Sequence, residues 1–234
     1  MAEQTIEDGR RVRGDASRRV VLERATDLAS VDGLDGLTIG RLADASGMSK
    51  SGIATLFRGK EGVQLATVEA ARQIFVGRIV DPARREPRGV RRLAALLRNA
   101  LEYSRDRVFR GGCFFAAAAA DVDSKPGPVR EAVRSALVDW YGYLQAQVVA
   151  AIHDGELAVD ESEAEVLAFH LAALNEQANA RSLLLHDDRP YLLAAAGMRN
   201  ALRAAGADPA QTAALRMDDR GAEGGAGPGV GAGP

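Results

Sequence analysis

The stretch from Thr38 to Lys60 constrains this chain more than any other. Apolar side chains fall at Ile39, Leu42, Ala43, Met48, Ile53 and Phe57, the spacing of two short helices with a reversal between them. Gly47 stands at the reversal. Thr38 and Ser49 stand where helix N-caps belong, each able to offer a side-chain oxygen to backbone N–H groups that a helix start leaves unpaired. Two helices crossing over a tight turn, the second with small polar residues on its outer face, make a helix-turn-helix. Such a motif implies DNA binding.

The flanks are in register with it. A first helix is expected over Arg18 to Ala29, where Val21, Ala25, Leu28 and Ala29 form an apolar stripe. Gly33-Leu34-Asp35-Gly36-Leu37 then turns into the motif, and Phe57-Arg58-Gly59-Lys60-Glu61 leaves it. From about Ser17 to Leu65 the chain resembles the N-terminal domain of the TetR family of transcriptional regulators, which carries three helices and the start of a fourth. The resemblance implies a DNA-binding domain, expected here over 14–74 with its motif at 38–57. It also implies a dimeric regulator, usually a repressor, that leaves its operator when a small-molecule effector enters the C-terminal domain.

DNA contacts can be assigned by position. Ser49, Lys50, Ser51 and Thr55 fall at the start and outer face of the second motif helix, within reach of base edges, and Gly52 permits close backbone approach. Thr38, Arg41 and Lys60 lie at or near helix N-termini, where donors hold phosphate. Family members often carry an aromatic where this chain has Ala54 and Leu56, and histidine where it has Thr55. Base preference therefore does not carry over, and affinity is expected to lean on Lys50, Lys60 and the arginines of the first helix.

Charge agrees with this reading without deciding it. The 234 residues carry a formal net charge of −2, but Arg10 to Lys60 hold 10 Lys/Arg against 6 Asp/Glu. A local cationic excess favours phosphate through counterion release. Met1 to Arg13 lack the apolar core of a signal peptide, and no apolar run exceeds about ten residues, short of a membrane span. A single cysteine, Cys113, leaves no intramolecular disulfide and fits a reducing compartment. The expected location is the cytoplasm, with no membrane partner.

Beyond Lys60 the pattern is helical nearly to residue 205, and nothing alternates with period two. A fourth helix is expected over Lys60 to Pro82, a fifth from Pro87, a sixth over Cys113 to Ala120, a seventh from Val129 to Ile152, an eighth opened by an Asp160/Glu163 capping box, and a ninth from Pro190. The expected class is all-α, about nine helices, with a ligand-binding and dimerisation domain over 75–205. The segment 206–234 ends in a run from Gly221 to Pro234 in which 7 of 14 residues are glycine, and it is expected to be disordered.

A pocket between helices is the default ligand site in a bundle. Leu97, Leu101, Cys113, Phe114, Trp140, Leu144, Phe169 and His170 are the expected lining. A homodimer follows from the need of two readers for two half-sites, and the small-residue face Ala168, Leu171, Ala172, Asn175, Ala178 and Asn179 is the expected interface.

Catalysis finds no footing. His153, His170 and His186 lack metal-ligand spacing, Gly59-Lys60-Glu61 lacks the rest of a phosphate-binding loop, and no catalytic residue, metal site or cofactor is expected. Alternatives are a helical dimer acting through protein partners, or a cysteine-dependent redox sensor or enzyme built on Cys113.

Overall fold

The computed structural model describes the backbone of residues 2–218 and the side chains of residues 14–218. Nine helices of eight residues or more occur among the described residues, and no strand. They are α1 (Ala2–Asp32), α2 (Ile39–Ser46), α3 (Lys50–Phe57), α4 (Lys60–Phe75), α5 (Val90–Arg105), α6 (Phe114–Val122), α7 (Pro128–His153), α8 (Ala164–Leu185) and α9 (Arg189–Ala204). None is long and apolar enough to cross a membrane.

Local chemistry sets the first turns as the spacing predicts. Thr38 Oγ1 accepts the Arg41 N–H at 3.2 Å and Ser49 Oγ accepts the Gly52 N–H at 3.1 Å, so both motif helices are capped. Gly47 ends α2 at φ 70°, a left-handed conformation that glycine adopts without strain. Val21, Ala25, Leu42, Ile53 and Phe57 bury the inner faces of α1, α2 and α3 together. The Arg18 guanidinium lies 4.5 Å from the centre of the Phe57 ring and donates to Leu56 O, fastening α1 to the end of α3.

Helix α4 departs from the single rod expected over Lys60 to Pro82. Regular geometry stops at Phe75, a π turn spans Val76–Val80, and a last α turn covers Asp81–Ala83. A wide turn leaves backbone carbonyls poorly matched. Buried Asn99 on α5 answers one of them, donating to Ile79 O at 2.9 Å.

Elsewhere the differences are small but instructive. Glu161–Glu163 form a single 3₁₀ turn ahead of α8, and Asp160 makes no side-chain cap bond, so the expected capping box is absent. The close approach of α1 to the loop before α6 explains one glycine. A Cβ on Gly111 would stand 1.8 Å from Ser30 O.

The expected disorder of 206–234 needs correction over its first part. Ala207, Thr212 and Leu215 are buried, and Ala213–Leu215 form a 3₁₀ turn against α5. Ala158 N–H donates to Ala205 O, and Gln211 Nε2 donates to Glu156 at 2.7 Å. Leucine and alanine between 207 and 215 supply apolar surface that an average over the glycine-rich end conceals. Residues 219–234, the rest of that segment, lie outside the described residues. Leu215→Ala should lower stability by about 2–4 kcal/mol, as deletion of a fully buried leucine side chain does. Urea denaturation checks this. An unchanged midpoint would mean that 206–215 does not pack.

Candidate functional site: a nucleic-acid interface and an internal cavity

At the N-terminal end, α3 turns Ile53 and Phe57 inward and leaves Ser49, Lys50, Ser51 and Thr55 exposed, with Gly52 half-buried between them. The ammonium of Lys50 reaches over Gly40 of α2 and has no hydrogen-bond or ion-pair partner among the described residues. Thr38 is exposed while it caps α2.

Two of the side chains assigned to phosphate are already engaged. Arg41 pairs with Asp32 and donates to Gly36 O. Lys60 Nζ donates to Asp35 O at 3.1 Å. Both partners belong to the end of α1 and the turn after it, so this turn draws the starts of α2 and α4 together.

Asp35 escaped the sequence reading, because its partners stand far along the chain. Its carboxylate accepts from Lys125 at 2.8 Å, and its backbone N–H donates to Asp121 at 2.8 Å. Lys125 also donates to Asp121 at 2.7 Å. The hydrogen bond from Lys125 holds the Asp35 carboxyl below the ordinary aspartate value, while the two carboxylates raise the Lys125 ammonium. The turn before the DNA-facing motif is thus tied to the end of α6. Arg110, which pairs with Asp27 of α1, makes a second tie nearby.

A cavity of about 630 Å³ lies where the end of α4 meets α6, α7 and α8. Phe75 is its aromatic hub, with edge-on contacts to Trp140 at 5.0 Å, Phe115 at 5.7 Å and Tyr103 at 5.7 Å. Val76, Val80, Leu137 and Cys113 extend the apolar wall. Polar groups occupy the remainder. Arg72 pairs with Asp139 at 2.9 Å, the Tyr141 hydroxyl donates to Glu176 at 2.6 Å, and Asn175 Oδ1 is enclosed without a partner among the described residues.

Of the expected pocket residues, only Cys113 and Trp140 line this cavity. Leu97, Leu101, Phe114 and Leu144 are fully buried in the core behind it. Phe169 is 75% exposed and His170 is exposed, both on the outer side of α8. Large apolar side chains serve core and pocket alike, so composition did not separate them. Arg72, Phe75, Val76 and Val80 were missed, since no motif marks the end of α4 as a wall.

The expected interface also turns inward. Ala168, Leu171, Ala172, Ala178 and Asn179 are buried within their own bundle, and Asn175 lines the cavity. Asn179 Oδ1 accepts the Cys113 N–H at 3.1 Å, a structural task. Small residues allow α8 to sit close to its own neighbours, which the pattern could not distinguish from close approach of a partner. The large exposed apolar residues of α8 and α9 are instead Val166, Phe169, Leu184, Leu185 and Leu193. As for Cys113, burial pushes its thiol up from the ordinary cysteine value, against a reactive thiolate.

The fold and the two sites define a helical DNA-binding regulator with an internal receiving cavity. Residues 89–198 match the model of the tetracyclin repressor-like C-terminal domain. No curated protein matches the chain. Among solved structures, a TetR transcriptional regulator from Chloroflexus aurantiacus is 25% identical, covering 82% of this chain and 94% of that one at a TM-score of 0.69. A TetR-family regulator from Agrobacterium tumefaciens is 18% identical over 82% of this chain and 98% of that one, at 0.71. AibR, solved with isovaleryl coenzyme A and operator DNA, is 18% identical over 70% of this chain and 86% of that one, at 0.60. Residues 89–198 thus match a TetR-type C-terminal domain, and the chain is similar over most of its length to TetR-family transcriptional regulators.

The clamp at Asp35 sets a pH dependence. Its folded pKa is depressed, so its contribution is complete above the unfolded value and is lost as pH falls through the folded one. Asp35→Asn should therefore lower stability slightly at neutral pH, since the pair is exposed, and converge with the parent well below about pH 4, so that the acid limb is flatter by the same small amount. Thermal melts between neutral and acid pH check this. An acid limb as steep in the variant as in the parent would show that Asp35 does not contribute.

Proposed function

We propose that this chain is a ligand-responsive repressor that binds a pseudo-palindromic operator as a homodimer in the cytoplasm and releases it when a small molecule fills the cavity. Residues 14–74 are the reader and 75–205 the receiver. The observation that carries the proposal is the placement of α4. Its start abuts the recognition helix α3, and its end, from Arg72 to Val80, is a wall of the cavity. A molecule that displaces this wall tilts the rod on which the reader is mounted. Two readers held at one fixed half-site spacing then lose their fit. That AibR is solved with both a ligand and operator DNA supports the two-site arrangement. Similarity to a family of regulators supports binding, not catalysis, as the chain's activity.

The cavity also suggests what enters. Its cationic lining is compensated, Arg72 by Asp139 and Arg84 by Asp81, while Glu176 accepts from the Tyr141 hydroxyl and keeps its negative charge. An anionic effector would meet no free counter-charge. A neutral molecule, largely apolar against Phe75, Phe115 and Trp140, with a donor for Asn175 Oδ1, fits this lining.

Recovery of bound duplexes from a random pool tests the reader. Lys50→Ala and Thr55→Ala should change base preference, whereas Lys60→Ala should weaken every duplex about equally. Equal losses from all three on all sequences would remove the base-reading role of α3. Titration calorimetry tests the coupling, which must be reciprocal: operator should weaken the effector by the factor with which effector weakens operator, about 5- to 150-fold. Equal effector affinity with and without operator would end the displacement mechanism.

A further inference from the structure

The cavity is not closed by its own chain. Its lining includes Glu176, Gln177 and Ala180, all exposed on α8. On a helix of 3.6 residues per turn, these three and Ala173 lie within roughly 60° of one line along α8. Val166, Phe169 and Leu184 lie on the same line and are 68%, 75% and 79% exposed. Glu176, at the edge of that arc, is its only acidic or basic residue apart from His170, and its carboxylate is already bonded to Tyr141. A wide apolar stripe thus runs across the opening of a largely apolar cavity, and covering it desolvates almost no charge.

We propose that a second copy of this chain closes the mouth of the cavity, with Phe169 of each protomer seated at the opening of the other. The proposal rests on the dimeric regulator proposed above and adds that each site is incomplete without its partner.

The sequence of the stripe matches a copy of itself. About a two-fold axis passing between Ala173 and Gln177, an antiparallel copy of α8 sets Val166 against Leu184 and brings Phe169 beside Ala180. Large residues meet at the ends, small ones at the middle, and a ring fits over a methyl group at the rim. An isologous pairing of this kind is self-complementary, as a two-fold interface must be. Effector exchange then requires the protomers to part or to shift, so occupancy of the cavity and the geometry of the dimer are read by the same contacts.

Trp140 lines the cavity and is the only tryptophan of the chain, so its fluorescence reports the mouth directly. The test is quenching by acrylamide, a neutral probe, alongside sedimentation analysis. The parent should sediment as a dimer with Trp140 shielded. Val166→Glu combined with Leu184→Glu should give a folded monomer, checked by circular dichroism, in which quenching rises severalfold. Phe169→Ala should raise quenching while the protein still sediments as a dimer. If that variant is dimeric and no more readily quenched than the parent, Phe169 is not the cap. A dimeric parent whose Trp140 is quenched as readily as in the monomer would overturn the closure alone and leave the regulator intact. A parent that is monomeric both free and on operator DNA would overturn the closure and the dimeric reading together. A double variant that stays dimeric would place the interface elsewhere and also end the proposal.

Discussion

Helix α4 buries Val63 and Thr67 beside the DNA-reading end and presses Phe75 into a cluster of three other aromatic rings at the cavity. Its start is held as firmly as its end. Gln64 Nε2 donates to Leu34 O at 2.9 Å, and Lys60 reaches Asp35 O. Close-packed interiors do not deform by degrees; they resist a small displacement or move to another packing. A rod gripped at both ends therefore carries displacement from one set of neighbours to the other. The π turn at Val76–Val80, held by Asn99, sits where the rod reaches the cavity wall. Single π turns of this kind occur frequently at functional sites.

What was legible in the sequence follows the range of the forces involved. Caps at Thr38 and Ser49, the left-handed Gly47 and the inward Ile53 and Phe57 are set by neighbours a few residues away, and each was readable. The all-α class and the positions of most helices in the bundle follow from apolar spacing in the same manner. The rotation of a helix about its own axis is different. Ala168, Ala172 and Ala178 suit a close partner and a close neighbour equally well, and only the rest of the bundle decides which face α8 turns inward. The same holds for Phe114 and Leu144, whose residue types serve a dry core or a ligand wall. Asp35 stood in plain view as a turn residue, yet Asp121 and Lys125, which give it its role, stand 86 and 90 residues away.

The ties around Asp35 give the reader a second connection to the bundle, parallel to α4. Arg41 and Lys60, expected from their positions to meet phosphate, are both leashed to the segment Asp32–Gly36. Exposed pairs of this strength exchange readily with water and ions. A phosphate at Lys60 Nζ competes with Asp35 O for the same protons. Whatever it releases is felt at Lys125 and Asp121, which close off α6, and α6 supplies Phe115 to the cavity. The route is electrostatic where α4 is mechanical. It acts within a few ångströms at each step, so salt screens it only where its members are exposed. In the regulator proposed above, DNA and effector bear on one another through two paths that part at Lys60, the first residue of α4, and meet again at the cavity, where Phe75 of α4 stands edge-on to Phe115 of α6. A lesion in either path reduces coupling without abolishing it, because the surviving path still biases the same packed cluster.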